Sequence, residues 1–170
     1  MNAIPITFEQ YQKADFQLED LDDLAQSSAS ANWSEMGCYK TTSALWLAQR
    51  RFEEQGIKNP ALLIVTSKNG KGTYFDAIPK TLPDWKFINV HMQKVTQVEL
   101  GQFEFDIDGK QFAQLVLGEA PTVVLAHYHC FTNKAQIKDL MYRITWDMVI
   151  LDEADRINDR DAQWTRNLKQ

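Results

Sequence analysis

The chain has 170 residues, 44% of them hydrophobic and 24% charged, which suits one domain with its own core and leaves no room for a second full domain. Its formal net charge of -5 excludes a protein that wraps nucleic acid with its whole surface, because that mode neutralises many phosphates with Lys and Arg. No secretory leader and no apolar run long enough to cross a bilayer is read, so a cytoplasmic protein without membrane partners is expected, with Cys38 and Cys130 as free thiols.

In chain order, residues 15–25 place Phe16, Leu18, Leu21 and Leu24 near helical spacing with acidic residues between them, predicting a short amphipathic helix within an N-terminal segment 1–30. A short strand is expected at 28–33. Residues 41–55 are rich in helix formers, and Gly56 stands where a helix stops. ALLIVT at 61–66 is a continuous apolar run between Pro60 and the polar stretch 67–72, the pattern of a strand buried on both faces of a parallel sheet. KFINV at 86–90 predicts another strand. Phe103, Phe105 and Ile107 alternate ahead of Asp108-Gly109, a dipeptide favoured in tight turns, so one antiparallel hairpin is expected to decorate the sheet. TVVLAHY at 122–128 and DMVIL at 147–151 predict two further buried strands, with a helix at 133–142 between them and a last helix at about 161–169. No repeat or low-complexity tract interrupts this alternation. The fold class expected is α/β, a mostly parallel central sheet flanked by helices.

The sharpest chemical signal is VILDEAD at 149–155, where apolar residues run straight into two adjacent carboxylates at the C-terminal end of a strand. Open α/β sheets bind ligands at that edge. Phosphoryl transfer needs a carboxylate to hold Mg²⁺ and a second group to orient the attacking water, and Asp152 and Glu153 suit those two roles. The plainer reading is a strand ending in a solvated acidic turn. The matching phosphate loop is Ser34 to Thr42, SEMGCYKTT, ahead of a good helix. The pattern GxxxxGK followed by Ser or Thr wants glycine at positions 34 and 39, and this chain has Ser34 and Tyr39. Lys40 and Thr41 are in register, Lys40 for the β- and γ-phosphates and Thr41 for Mg²⁺, with Met36, Gly37, Cys38, Tyr39 and Thr42 completing the cradle. The alternative is a helix N-terminus that happens to read Lys-Thr-Thr. His127, His129 and Cys130 lack a fourth ligand at metal-binding spacing, so no metal site is expected there. Lys68 and Lys71 read either as solvated loop lysines or as contacts to a nucleic-acid backbone.

EMGCYKTT resembles the phosphate loop of superfamily 2 helicases, and WDMVILDEADRIND is similar to the corresponding stretch of the Swi/Snf-type DNA translocases. FQLEDL at 16–21, the segment 62–85 and VVLAHY at 123–128 resemble further segments of that branch in the same order. The resemblance covers about 16–170 and implies a single RecA-like P-loop NTPase lobe, the ATP-binding first lobe of a DNA-dependent ATPase using ATP and Mg²⁺. It implies that Gln17 contacts adenine, that Asp152 and Thr41 hold Mg²⁺, that Glu153 orients water, and that Ser67, Lys68, Lys71 and Tyr128 lie along DNA. Tyr39 departs from the glycine of that pattern, and Asp155 stands where the branch more often has histidine. A second RecA-like lobe carrying arginine fingers is expected outside this sequence, on another chain or in a further C-terminal part. Without that lobe, a second reading stands beside the first: a non-hydrolysing single-lobe module that binds DNA, a nucleotide or a partner. A small one-lobe P-loop kinase ranks below both, since it gives no reason for the DEAD tetrad.

Overall fold

Apolar runs and helical faces settle into alternating layers, and the computed structural model describes them over residues 40–99, 102–132 and 137–153. The helix expected at 15–25, the strand at 28–33 and the helix at 161–169 lie outside these residues. Helix α1 (Lys40–Gln55) buries Leu45, Ala48 and Phe52 on one face. Its other face carries Gln49 and Arg50, which donate to Glu53 and Glu54 one turn on. Gly56 ends the helix with φ +68, a left-handed conformation that a glycine adopts without a Cβ penalty. The amides of Gly56 and Ile57 then return to the carbonyls of Glu53 and Phe52, which satisfies the end of the helix.

Strand β1 (Ala61–Thr66) is buried at all six positions, as its unbroken apolar run predicts. The loop after it is shorter than the polar stretch 67–72 suggests, because helix α2 (Lys71–Thr81) begins inside that stretch. Gly72 and Pro79 hide this helix from propensity, while the burial of Tyr74 and Ile78, four residues apart, supplies what propensity lacks. Strands β2 (Lys86–Val90), β3 (Val95–Glu99) and β4 (Phe103–Ile107) form an antiparallel meander. The expected hairpin is therefore present, but Asp108-Gly109 is not its turn. Asp108 instead caps helix α3 (Gly109–Val116), accepting from the amides of Lys110 and Gln111 at 2.8 Å, while the Gln111 side chain accepts from the Asp108 amide. This reciprocal capping satisfies amides that a helix start otherwise leaves open.

Strand β5 (Thr122–His127) runs into a 3₁₀ turn (Tyr128–Phe131), and helix α4 (Lys138–Tyr142) precedes strand β6 (Met148–Leu151). The sheet order among the described residues is β4-β3-β2-β5-β1-β6, with β2, β5, β1 and β6 mutually parallel. Expected as a buried strand, β6 lies at the sheet's edge among those residues, with Val149 45% and Leu151 40% exposed. Alternation along the strands divides the core in two. Leu62, Ile64, Phe87, Val123 and Leu125 pack with α1 and α2 on one face. Leu63, Val65, Ile88, Val124 and Ala126 pack with α3, α4 and the 3₁₀ turn on the other. The result is a helix-sheet-helix sandwich, and truncating one of the central residues such as Ile64 to alanine costs about 2–5 kcal/mol.

Candidate functional site

All four parallel strands end on one edge, at Val90, His127, Thr66 and Leu151, where strand carbonyls give way to loops able to face a ligand. The register pairs Thr66 with His127 and Val65 with Leu151, so Asp152 follows level with Thr66. The Asp152 amide still donates to the Val65 carbonyl at 2.9 Å, carrying the ladder one step past the strand. From there three further bonds hold the acidic turn. The Thr66 hydroxyl donates to Asp152 Oδ2 at 3.0 Å, the Glu153 amide donates to Asp152 Oδ1 at 3.0 Å, and the Tyr128 hydroxyl donates to the Asp152 carbonyl. Glu153 itself takes a positive φ of 54, uncommon for a residue with a side chain.

Lys40, Thr41 and Thr42 form the first turn of α1, which contains no acidic residue to compete with an anion at its positive end. The Thr41 side chain is hydrogen-bonded to the Tyr74 phenol, and that phenol also feels the charge of Asp152 and lies near Tyr128. Burial, Asp152 and Tyr128 together push the Tyr74 hydroxyl well above its ordinary range, with the Thr41 bond acting the other way, so it stays protonated. Tyr74 thus stands between the Thr41 side chain and the charge of Asp152, which belong to elements far apart in sequence. Gln17, Met36, Gly37, Cys38 and Tyr39 lie outside the described residues.

The four residues expected along DNA divide differently. Lys68 is exposed, as such a contact requires. Ser67 is buried, its hydroxyl accepting from the Gly70 amide at 3.0 Å, which shapes the turn into α2. Lys71 opens α2 instead of lying in the loop, and its ammonium donates to the Val90 carbonyl at 2.9 Å. Burial pulls its pKa below the ordinary value, against the attraction of Cys130 and Glu104. Tyr128 is 3% exposed and its hydroxyl is bonded to Asp152, so the ring serves the acidic turn from within.

A second polar cluster joins β2 to the β3–β4 hairpin. Glu104 Oε2 accepts from Asn89 Nδ2 at 3.0 Å and from the Thr96 hydroxyl, with His91 Nε2 at 3.3 Å. Burial raises the Glu104 pKa, but the bonds from Thr96, His91 and Asn89 and the charge of His91 outweigh it and hold the carboxyl below the usual range. Nearby, His127 Nδ1 is buried without a partner, and burial, then the positive charges of Lys71, His129, His91 and Lys68, push His127 down to about 4. The His127 and His129 rings lie tilted to each other with centroids 5.5 Å apart, the Cys130 thiol donates to the Val90 carbonyl at 3.6 Å, and among the described residues no group of three His, Cys, Asp or Glu is placed to hold a metal ion.

Thr66, Gly70 and Tyr74 escape sequence reading. The available signal is slight: a threonine ending an apolar strand, followed four residues later by a glycine whose missing side chain leaves space for the threonine hydroxyl. A Cβ on Gly70 would collide with Thr66 Oγ1.

By sequence, no protein family and no curated protein matches the chain. By structure, the chain is similar to the Sulfolobus solfataricus SWI2/SNF2 ATPase core in complex with dsDNA, with a TM-score of 0.68 at 13% identity over 99% of this chain. It spans 31% of the length of that protein. At this identity the likeness establishes the fold, and the mixed six-stranded sheet with its antiparallel hairpin and flanking helices matches a RecA-like lobe.

Proposed function

We propose that this chain is the nucleotide-binding lobe of a DNA-dependent ATPase of the SWI2/SNF2 kind, binding ATP with Mg²⁺ at the C-terminal edge of its sheet. The observation that carries this reading is the meeting of Thr41, Tyr74, Thr66 and Asp152 at that edge, from four separate elements. An ionised carboxylate offers about four lone-pair positions, and Asp152 gives one to Thr66 and one to the Glu153 amide, leaving about two for a cation. Mg²⁺ is ordinarily held by one or two protein groups with the rest from water and phosphate, which fits Asp152 and the Thr41 hydroxyl. When bound, Mg²⁺ neutralises charge on the β- and γ-phosphates. Lys40 and the N-terminal amides of α1 hold the same phosphates, and Glu153 orients the water.

The structural likeness to a protein bound to double-stranded DNA supports DNA as the partner. The exposed Lys68 and His129, on the loops after β1 and β5, are the side chains proposed to face it. Turnover further needs cationic groups that reach the γ-phosphate from the far side. A second lobe supplies them in this reading, and their loss costs on the order of 10³–10⁵ in rate. The alternative, a module that binds without hydrolysing, is favoured by Tyr39 in place of the loop glycine.

The test is calorimetric titration with Mg-ATP alongside phosphate release with and without duplex DNA. Binding without appreciable turnover is expected, with Tyr39→Gly tightening it by about ten- to a hundred-fold if the tyrosine strains the loop. Absence of ATP binding in both forms sinks the nucleotide reading. DNA-stimulated turnover abolished by Glu153→Gln refutes the dependence on a second lobe.

A further inference from the structure

We propose that Thr66 and Tyr128 are positioning residues for the cation held at Asp152: Thr66 aims the carboxylate, and Tyr128 fixes the peptide that follows it. The inference rests on the nucleotide-binding reading above, and it assigns two residues whose side chains touch neither nucleotide nor metal.

Thr66 is 0% exposed, and its hydroxyl donates to Asp152 Oδ2. The hydroxyl rests against the bare Cα of Gly70, and the Gly70 amide is in turn held by Ser67 Oγ, so the turn into α2 limits where Thr66 can point. A carboxylate with one oxygen pinned in this way presents its remaining lone pairs in a set direction, which a metal with strict octahedral preferences requires.

Tyr128 acts on the backbone beneath. Its ring belongs to the buried cluster that includes Val65, Val90, Ala126 and Phe131, and its hydroxyl donates to the Asp152 carbonyl. Strands β5 and β6 are not neighbours, because β1 lies between them, so the phenol reaches across the end of β1 to the acidic turn. The carbonyl it meets and the Glu153 amide belong to one peptide unit. That unit is therefore gripped on both sides, its C=O by Tyr128 and its N–H by the Asp152 carboxylate. Glu153 follows at φ 54, a conformation that costs free energy and persists only where the surroundings hold it. Loss of the phenol hydroxyl frees the peptide to rotate, and both acidic side chains turn with it.

The experiment is calorimetric titration of ATP into wild type, Tyr128→Phe, Thr66→Val and Thr66→Ser, each once with Mg²⁺ and once in EDTA. Tyr128→Phe and Thr66→Val are expected to weaken binding in Mg²⁺ by about ten-fold, the lower end for groups that orient a metal ligand. Binding in EDTA stays within about two-fold of wild type, and Thr66→Ser, which keeps the hydroxyl, behaves as wild type. A merely structural role lowers both affinities together, and that result overturns the proposal, as does an unchanged affinity in Mg²⁺. Should Thr66→Val fail to fold, Thr66→Ala, which also lacks the hydroxyl, carries the same contrast with Thr66→Ser. A wild type that binds ATP equally with and without Mg²⁺, or not at all, overturns the cation reading and this inference with it, an outcome distinct from Mg²⁺-dependent binding that the variants leave intact.

Discussion

Two carboxylates stand on the same sheet, and their surroundings give them opposite characters. Glu104 meets Asn89, Thr96 and His91 through one oxygen, Oε2, which ties the β3–β4 hairpin to β2. Asp152 receives one side-chain donor and its neighbour's amide, and its charge acts on the Tyr74 phenol that Thr41 also meets. A carboxylate whose bonds join three strands' side chains is structural, while one held at a strand end with capacity to spare is ready for a ligand. Acidity alone does not separate them.

The largest expected effect lies with Asp152. Asp152→Asn keeps an acceptor for the Glu153 amide and turns its NH2 to donate to the Thr66 hydroxyl but loses the charge, so Mg²⁺-dependent ATP affinity should fall by about a hundred-fold, equivalent to about 2.7 kcal/mol. Thermal denaturation should show stability altered by less than about 1 kcal/mol. A large loss of stability with unchanged nucleotide affinity would make Asp152 a second Glu104.

Glu104→Ala should show the reverse. It leaves Asn89 and Thr96, both buried, without their shared acceptor, at a cost of about 1–3 kcal/mol. Glu104 is itself a third exposed, so water takes over part of the lost bonding and the lower half of that range is expected. Urea denaturation measures it, and ATP affinity is the control that should not move.

Gly70→Ala tests whether the two regions are separable at all. The added methyl meets the Thr66 hydroxyl, and overpacking of this kind costs about 1–3 kcal/mol. Because the displaced hydroxyl is the one on Asp152, Mg²⁺-dependent affinity should fall as well. A drop in stability alone would show that Thr66 relaxes without disturbing the carboxylate.

The smallest effect concerns pH. His127 has a folded pKa of about 4, below the ordinary 6.5, so the unfolded chain takes up the proton first and stability present above pH 6.5 is lost as pH falls toward 4. His127→Asn should flatten that part of the stability profile, by an amount reduced by the partial exposure of the ring. Melting midpoints at pH 7 and pH 5 give the comparison. An unchanged slope would mean that the folded chain protonates His127 as readily as the unfolded chain does.

The strands were the most legible part of the fold. ALLIVT and TVVLAH are apolar at almost every position, and a run of that length has little choice but to enter a sheet covered on both sides. Strand β3 and helices α2 and α3 were not legible. VTQVE is half polar and depends on β2 and β4 for its pairing, and α2 contains a glycine and a proline that its packing overrides. Asp108-Gly109 shows the limit most directly, since the same dipeptide serves a hairpin turn or a helix cap, and only Gln111 reaching back to the Asp108 amide decides between them.

By itself the sequence determined the α/β class, the parallel core strands and the placing of Asp152 and Glu153 at a strand end, because each depends on local pattern: periodicity, an apolar run, a carboxylate following it. Only the tertiary structure decided which side chains meet there. Thr41, Thr66, Tyr74 and Tyr128 come from four elements, and no local pattern encodes that a phenol crosses one strand to hold the turn of another. The same holds for Ser67, Lys71 and Tyr128, polar residues in or next to loops that a sequence places at the surface. The fold turns all three inward because the shortened loop after β1 and the 3₁₀ turn after β5 leave their donors and acceptors facing buried partners.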